Sequence, residues 1–335
     1  MKKIRILCVL LTSLMIFSCC GTKDAERPDI TDVITEADTT DITDIAETLE
    51  ETEEVTEPET EPETEPETEA PEEIVPVSLP ILMYHHFTED TSTKHTTIVT
   101  KNRFTEQIAA LKNAGFNAVT TDDVISYVEG NCELPENPIL ITMDDGYTSN
   151  VTIAAPILKE YGMNATVFVI GIYAGREINV HTGNLLFPPR FGGDEAEMSI
   201  NDGTLFMQSH TYDMHRLISE GFSLRDGVLM MDGESEEEYR AALQKDIEDS
   251  VAELEADFGT EASAFSYPYG YCSDIADEVL KEAGIKLTVT TAEGVAIIEK
   301  YNPDSLWRLP RINVPNWFTS DKLLAKIEDL MKSPE

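Results

Sequence analysis

From Leu79 onward the chain repeats one pattern, a short apolar run, a turn, then an amphipathic segment of ten residues or more. "PILMYHHF" is followed by "RFTEQIAALKNAGF" (Arg103 to Phe116), "NAVT" by "TTDDVISYVEG" with capping residues at its start, and "PILITM" (Pro138 to Met143) by "YTSNVTIAAPILKEYG". The pattern resumes with "NATVFVI" (Asn164 to Ile170), and with "TLFMQSH", "ASAFSYPYG" and "KLTVTTAEG", which alternate with "SEEEYRAALQKDIEDSVAELEADFG" and "DIADEVLKEAGI". Only "GIYAGREINVHTGNLLFPPRFGGDEAEM" shows no legible period and reads as an insertion. Strands separated by helices pair in parallel, so the pattern predicts an α/β fold with a parallel sheet, open or closed into a barrel. Either form gathers its chemistry at the carboxyl ends of the strands.

The region before Leu79 obeys a different rule. "MKKIR" is a basic start and "ILCVLLTSLMIF" an apolar run of about a dozen residues, too short to span a bilayer and built like an export signal. Ser18 before Cys19 resembles the lipobox of bacterial lipoproteins, which implies a signal peptide over 1–18 and a lipid anchor on Cys19. Residues 24–75 hold 22 acidic residues against one basic residue, Arg27, and end in repeated Glu-Pro-Glu-Thr. Such sequence cannot bury apolar area and repels itself, so residues 19–77 are expected to form a disordered, semi-stiff tether. The catalytic part is expected over 78–335, on the extracytoplasmic face of a bacterial membrane. A formal net charge of −40 excludes a nucleic-acid binder, whose phosphate contacts need clustered Lys and Arg. Cys132 and Cys272 are the only thiols of the body, and no obligatory disulfide framework is expected.

Three strand-like runs end in groups that bind metal or move protons: "YHHF", "MDDG" and "SHTYDMH". Four of the six histidines, His85, His86, His210 and His215, lie in two of them. Zinc takes imidazole and carboxylate ligands, so one aspartate with two histidines makes a catalytic triplet with an open position. Adjacent residues of an extended chain point to opposite sides, so Asp144 and Asp145 are expected to divide the work: one binds metal, the other acts as base. His210 and His215 are about 140° apart on an ideal helix, and can share a metal only if the segment between them is not helical.

"LMYHH", "TMDDGY", "SHTYDMH" and "FSYPYG", in that order, resemble the polysaccharide deacetylase family, carbohydrate esterase family 4, with its NodB homology domain. The opening motif and the longer histidine spacing are similar to the poly-N-acetylglucosamine deacetylase branch, over roughly Pro80 to Val314. The resemblance implies a distorted (β/α) barrel of about seven parallel strands. It implies hydrolysis of N-acetyl groups of an N-acetylglucosamine polysaccharide, a carbon–nitrogen bond outside peptides, with release of acetate. It further implies one divalent ion, Zn2+ or else Co2+, Mn2+ or Ni2+, on Asp145, His210 and His215, with Asp144 as base. The backbone amide of Tyr269 is implied to hold the oxyanion, and His85 to be the general acid, with His86 the second choice.

Two departures from the family pattern bear on these roles. The arginine that many members carry two residues before the proline of "YPYG" is replaced by Ser266, and Arg311 in "WRLPRINV" is the candidate substitute. No histidine follows His215, so the late Leu-x-His that supplies the acid in most members is missing, which leaves the role to His85. Tyr84, Tyr147, Trp307 and Trp317 are aromatic candidates for lining a sugar site. The expected partners are an acetylated polysaccharide and, through the anchor, a membrane. Three alternatives remain: an O-acetyl esterase of the xylan type, an inactive glycan-binding lipoprotein, and a barrel glycosidase using two carboxyl groups.

Overall fold

In the computed structural model, whose described residues are 75–221 and 223–332, strands and helices alternate in the order the apolar runs predict. The expected signal peptide, Cys19 and the tether as far as residue 74 lie outside the described residues. The chain enters through β1 (Val77–Leu79), β2 (Ile81–Tyr84), β3 (His86–Thr88) and β4 (Ile98–Thr100). It then winds through α1 (Lys101–Asn113), β5 (Asn117–Val119), α2 (Thr121–Val128), β6 (Pro138–Asp144), α3 (Ala155–Glu160) and β7 (Ala165–Val169). After the insertion come α4 (Gly193–Asn201), β8 (Leu205–Ser209), α5 (Glu236–Phe258), β9 (Ala264–Ser266), α6 (Asp274–Glu282) and β10 (Leu287–Glu293). The last elements are β11 (Ala296–Ile298), β12 (Leu309–Asn313) and α7 (Ser320–Lys332).

β2, β12, β10, β9, β8, β7 and β6 bond side by side in that order, and β6 returns to β2 through Leu82↔Ile141 and Met83↔Thr142. The sheet is therefore a closed barrel of seven parallel strands, as expected of the (β/α) class. β5 pairs outside the ring with the first residues of β6, and β1 pairs antiparallel with β11.

Period-two alternation divides each barrel strand between two environments. Ile139, Ile141 and Met143 of β6, Val167 and Val169 of β7, and Leu205 and Met207 of β8 are fully or almost fully buried with the helices that wrap the barrel. Leu140, Phe168, Ala264, Val289 and Leu309, on the alternate positions, form a second apolar cluster. Each fully buried aliphatic or aromatic side chain contributes about 1.5–3 kcal/mol, so this register is strongly specified. The residues that continue the second set toward the carboxyl ends are polar: Thr142, Asp144, Ser266 and Arg311, all buried.

Local signals fix the helix ends. The Thr120 hydroxyl accepts from Asp123 N while the Asp123 carboxylate accepts from Thr120 N, a capping box that starts α2 where the sequence placed it. Ser235 and Glu238 do the same for α5, and Gly259 in the left-handed region ends that helix. Helix α4 begins inside the segment that showed no period. It buries only Gly193, Ala196 and Ser199, too little apolar surface to leave a pattern. It starts against the end of α5, where a Cβ on Gly193 would lie 1.8 Å from Asp257 O, so only glycine fits.

Candidate active site

The site is built from residues at or just past the carboxyl ends of β2, β6, β8, β9 and β12. Arg311 on β12 donates to Asp144 Oδ1 (2.8 Å) and Oδ2 (2.7 Å) on β6, to Ser266 Oγ (3.1 Å) on β9 and to Thr142 Oγ1 (3.1 Å). β6 and β9 are not neighbours in the ring, so one guanidinium reaching both lies in the barrel interior. Ser266, where the family motif often carries arginine, thus accepts from the arginine that comes from β12 instead. Arg311 and Asp144 are both shut off from solvent. A fork-to-fork pair of this kind fixes the carboxylate plane as well as its charge.

Asp145 follows at φ +76°, in the left-handed region. An extended residue there would point to the far side of the sheet, but this conformation turns the side chain back toward the barrel mouth. Its Oδ1 lies 3.6 Å from His210 Nε2 and 3.3 Å from His215 Nε2. His210 immediately follows β8, and the segment from it to His215 is turn rather than helix, so the two rings meet with centroids 4.7 Å apart. Thr211 and Tyr269 are also left-handed, at φ +73° and +59°. Three non-glycine residues in that region cluster at one barrel mouth, the kind of strain that functional sites hold in place.

Electrostatics separate the two aspartates from their neighbours. Burial works against the Asp144 charge, but Arg311 outweighs it and holds the carboxyl below its ordinary range. Asp145 is also held low: burial opposes the charge, and His215, His85, Arg190 and His210 favour it. Burial pushes His210 down to about 4, so its ring is neutral at pH 7. Its Nδ1 lies 2.6 Å from Ser266 O, and donation there leaves Nε2 as a lone pair aimed at Asp145. Asp145 Oδ1 is buried without a hydrogen-bond partner. One carboxylate and two imidazole nitrogens converge, all within 4.8 Å of one another, and that donor set fits a divalent cation.

His85, Asp144, Asp145, His210, His215 and Tyr269 all line one cavity of about 430 Å3, together with Met83, Thr97, Thr291 and Asn313. Arg311 sits beneath it. His86 faces elsewhere: its Nδ1 is 2.9 Å from Ser149 Oγ and its ring lies against Tyr147. A second chamber of about 410 Å3 adjoins the first through Asp145, His215 and Tyr269, and the insertion lines it with Asn179, Leu185, Phe187 and Arg190. Tyr147 belongs to this chamber, with the Arg190 guanidinium stacked 3.7 Å from its ring centre. Two other aromatic candidates are not sugar contacts. Trp307 precedes β12, at the opposite end of the barrel, under Lys281. Tyr84 is buried in the core and donates to Gln107. Cys132 and Cys272 are free thiols.

Sequence reasoning missed Thr97, Thr291 and Asn313. Asn313 carried a usable signal, since it lies two residues past Arg311 on the same face of a strand. Thr97 and Thr291 had none.

A parallel barrel whose strand ends gather a carboxylate and two imidazoles around a buried aspartate–arginine pair offers a site of the kind that holds a divalent cation. The sequence profile of the family "Polysaccharide deacetylase" matches residues 132–288. The chain is 27% identical over 255 residues to the putative polysaccharide deacetylase YxkH of Bacillus subtilis, covering 76% of this chain and 78% of that one. It is 28% identical over 218 residues to the poly-beta-1,6-N-acetyl-D-glucosamine N-deacetylase of Staphylococcus epidermidis, covering 65% and 68%. Among solved structures it is similar to a de-N-acetylase from Aggregatibacter actinomycetemcomitans (TM-score 0.64, 19% identity, 75% of this chain and 100% of that one). It is also similar to IcaB from Ammonifex degensii (TM-score 0.60, 23% identity, 75% and 97%). These two show the fold. The family its motifs resemble is thus the one whose profile matches residues 132–288, and the relatives it is similar to carry the same family's names.

Proposed function

We propose that the chain removes N-acetyl groups from an N-acetylglucosamine polysaccharide, poly-N-acetylglucosamine or a cell-wall glycan, and releases acetate. The observation that carries this reading is the convergence of Asp145, His210 and His215 beside Asp144, in a cavity that also holds His85. The relatives named as N-deacetylases supply the substrate class. Asp145, His210 and His215 would hold a divalent ion, which when bound supplies Lewis acidity toward the acetyl carbonyl and toward water.

The chain's own groups do the rest. Asp144, ionised because Arg311 holds its carboxyl low, accepts the proton of the attacking water. Arg311 keeps both carboxylate oxygens in one plane and leaves their outer lone pairs to face the cavity. The Tyr269 N–H donates to the oxyanion as the carbonyl carbon becomes tetrahedral. His85, at the end of β2 and with Nδ1 buried and unpartnered, gives a proton to the departing nitrogen as the carbon–nitrogen bond breaks. The products are acetate and a glucosamine residue.

The test measures acetate release from acetylated glucosamine oligomers with and without a chelator, beside an assay for chain cleavage. Metal-dependent acetate release with intact chains is expected. Cleaved chains point to a glycosidase, release only from acetylated xylan to an O-acetyl esterase, and no release from any substrate to a binding protein. The export signal and the Ser18-Cys19 junction support anchoring at the extracytoplasmic membrane face. Cys19→Ser should then move the protein from the membrane fraction to the medium.

A further inference from the structure

Helix α5 carries a buried carboxylate that the chemistry above does not use. Asp246 is 7% exposed, and no cation pairs with it among the described residues; its charged neighbours, Asp213 and Asp249, are of like sign. Burial pushes its pKa up to about 6, while two backbone hydrogen bonds pull the other way. A buried charge with like-charged neighbours costs stability, and persists only where hydrogen bonds compensate it.

Its two oxygens are both taken. Tyr212 N donates to Oδ1 at 2.9 Å and Asp213 N to Oδ2 at 2.7 Å. These successive N–H groups follow Thr211, a β-branched residue at φ +73°, and such a turn around a left-handed residue forms a small anion-binding concavity. The same loop is held from its other side, because Gly171 N donates to Thr211 O and Ile172 N to Tyr212 O. One helical turn along α5, Ser250 Oγ lies 2.8 Å from Ser209 Oγ, next to His210.

We infer that Asp246 is the positioning residue of the metal site: its carboxylate, gripping the backbone between His210 and His215, sets the spacing of the two imidazoles. The loop has no regular secondary structure to hold that spacing, and side chains that bind a metal must be placed to within about 0.5 Å. A merely apolar contact would hold α5 against the loop but would leave the two N–H groups unpaired and the left-handed turn at Thr211 without its anchor. The inference rests on the reading that Asp145, His210 and His215 hold a divalent ion.

The experiment compares the wild type with Asp246→Asn, Asp246→Glu and Ser250→Ala, reading zinc affinity by chelator competition and the melting temperature of the metal-stripped protein. An amide offers one oxygen and turns an NH2 against the second N–H, so Asp246→Asn should weaken zinc binding roughly 10- to 100-fold. Asp246→Glu, which restores two acceptors displaced by a methylene, should recover most of that loss but stay about threefold or more below wild type. Ser250→Ala removes a neighbouring α5 contact and no loop bond; it should lower the melting temperature and leave zinc affinity unchanged. Wild-type zinc affinity in Asp246→Asn overturns the inference, as does an equal loss in Ser250→Ala. Should Asp246→Asn fail to fold, Asp246→Glu decides: affinity equal to wild type overturns it. A wild type that binds no zinc, cobalt, manganese or nickel instead overturns the metal reading itself.

Discussion

Replacing Arg311 by methionine removes the only cation that touches the buried Asp144 carboxylate among the described residues, and nearly preserves volume. Breaking a buried pair from one side costs about 3–5 kcal/mol, because the remaining charge is stranded. Protonation sets the ceiling. From its ordinary value of 3.8, neutralising this carboxyl at pH 7 costs about 4 kcal/mol, at ~1.4 kcal/mol per unit. The expected loss is therefore about 4 kcal/mol at pH 7, or roughly 8–16 °C in melting temperature for a domain of this size. The sign with pH follows from the direction of each shift. In the wild type the Asp144 pKa is depressed, so its contribution is fully present above 3.8 and fades as pH falls through the lower folded value. In the variant burial, the largest influence, is opposed only by His210 and His85 and the pKa is expected to rise, so the folded state binds more protons than the unfolded one and stability falls as pH rises. The gap between variant and wild type should shrink by about 1.4 kcal/mol per unit as pH falls from 7 toward 5. Urea denaturation of metal-stripped protein at both pH values measures it, and the acidic limb of kcat/KM should move to higher pH. A gap that is the same at both pH values, or below about 1 kcal/mol, refutes the argument that Arg311 exists to keep Asp144 charged.

His85→Ala should lower kcat by roughly 10²- to 10⁴-fold and spare zinc binding, whereas His86→Ala, facing Ser149, should leave kcat near wild type; the reverse result reassigns the acid. Asp144→Asn should retain metal and lose turnover by orders of magnitude, while Asp145→Asn should lose metal first and regain part of its activity when metal is raised; metal analysis beside acetate release separates them. Gly146→Ala places a Cβ at φ +68°, 3.4 Å from Val169 Cγ1, and should cost about 1–2 kcal/mol of stability by thermal denaturation. A neutral result would mean the turn after Asp145 relaxes freely.

Much of the barrel was legible because six of its seven strands, all but β12 (Leu309–Asn313), are apolar runs with their own turns, and a parallel strand needs a helix before the next. The metal-type triplet was legible for a similar reason: histidine is scarce here, and it falls at strand ends. What failed to show in the sequence depends on long-range or conformational facts. Arg311 was named as the candidate substitute for the motif arginine, but its pairing with Asp144, 167 positions away, is made only by the closing of the ring. Asp246 stands in "ALQKDIEDSVAELE", where nothing marks it off from its solvated acidic neighbours until the loop after β8 folds onto it. Trp307, a candidate sugar contact, lies four positions before Arg311. The strand begins at Leu309, so the tryptophan belongs to the amino end of the barrel and the arginine to the carboxyl end.

The two adjacent aspartates show how alternation and strain combine. By strand parity alone Asp144 faces the barrel interior and Asp145 the helices, and one of them would be lost to the site. The left-handed turn at Asp145, continued by Gly146 at φ +68°, cancels that parity by reversing the chain as it leaves β6. Each such residue other than glycine costs of order 1–2 kcal/mol, and aspartate is among the side chains that tolerate it. The cost falls where the chain gains most: Asp144 keeps its pair with Arg311, and Asp145 comes to within 3.6 Å of His210 Nε2 and 3.3 Å of His215 Nε2. A longer linker between the two carboxylates would also bring both to the cavity, but with a looser angle between them. With no residue between them, the pairing that fixes Asp144 also fixes the starting point of Asp145, so proton acceptor and metal ligand are set by one rigid strand end.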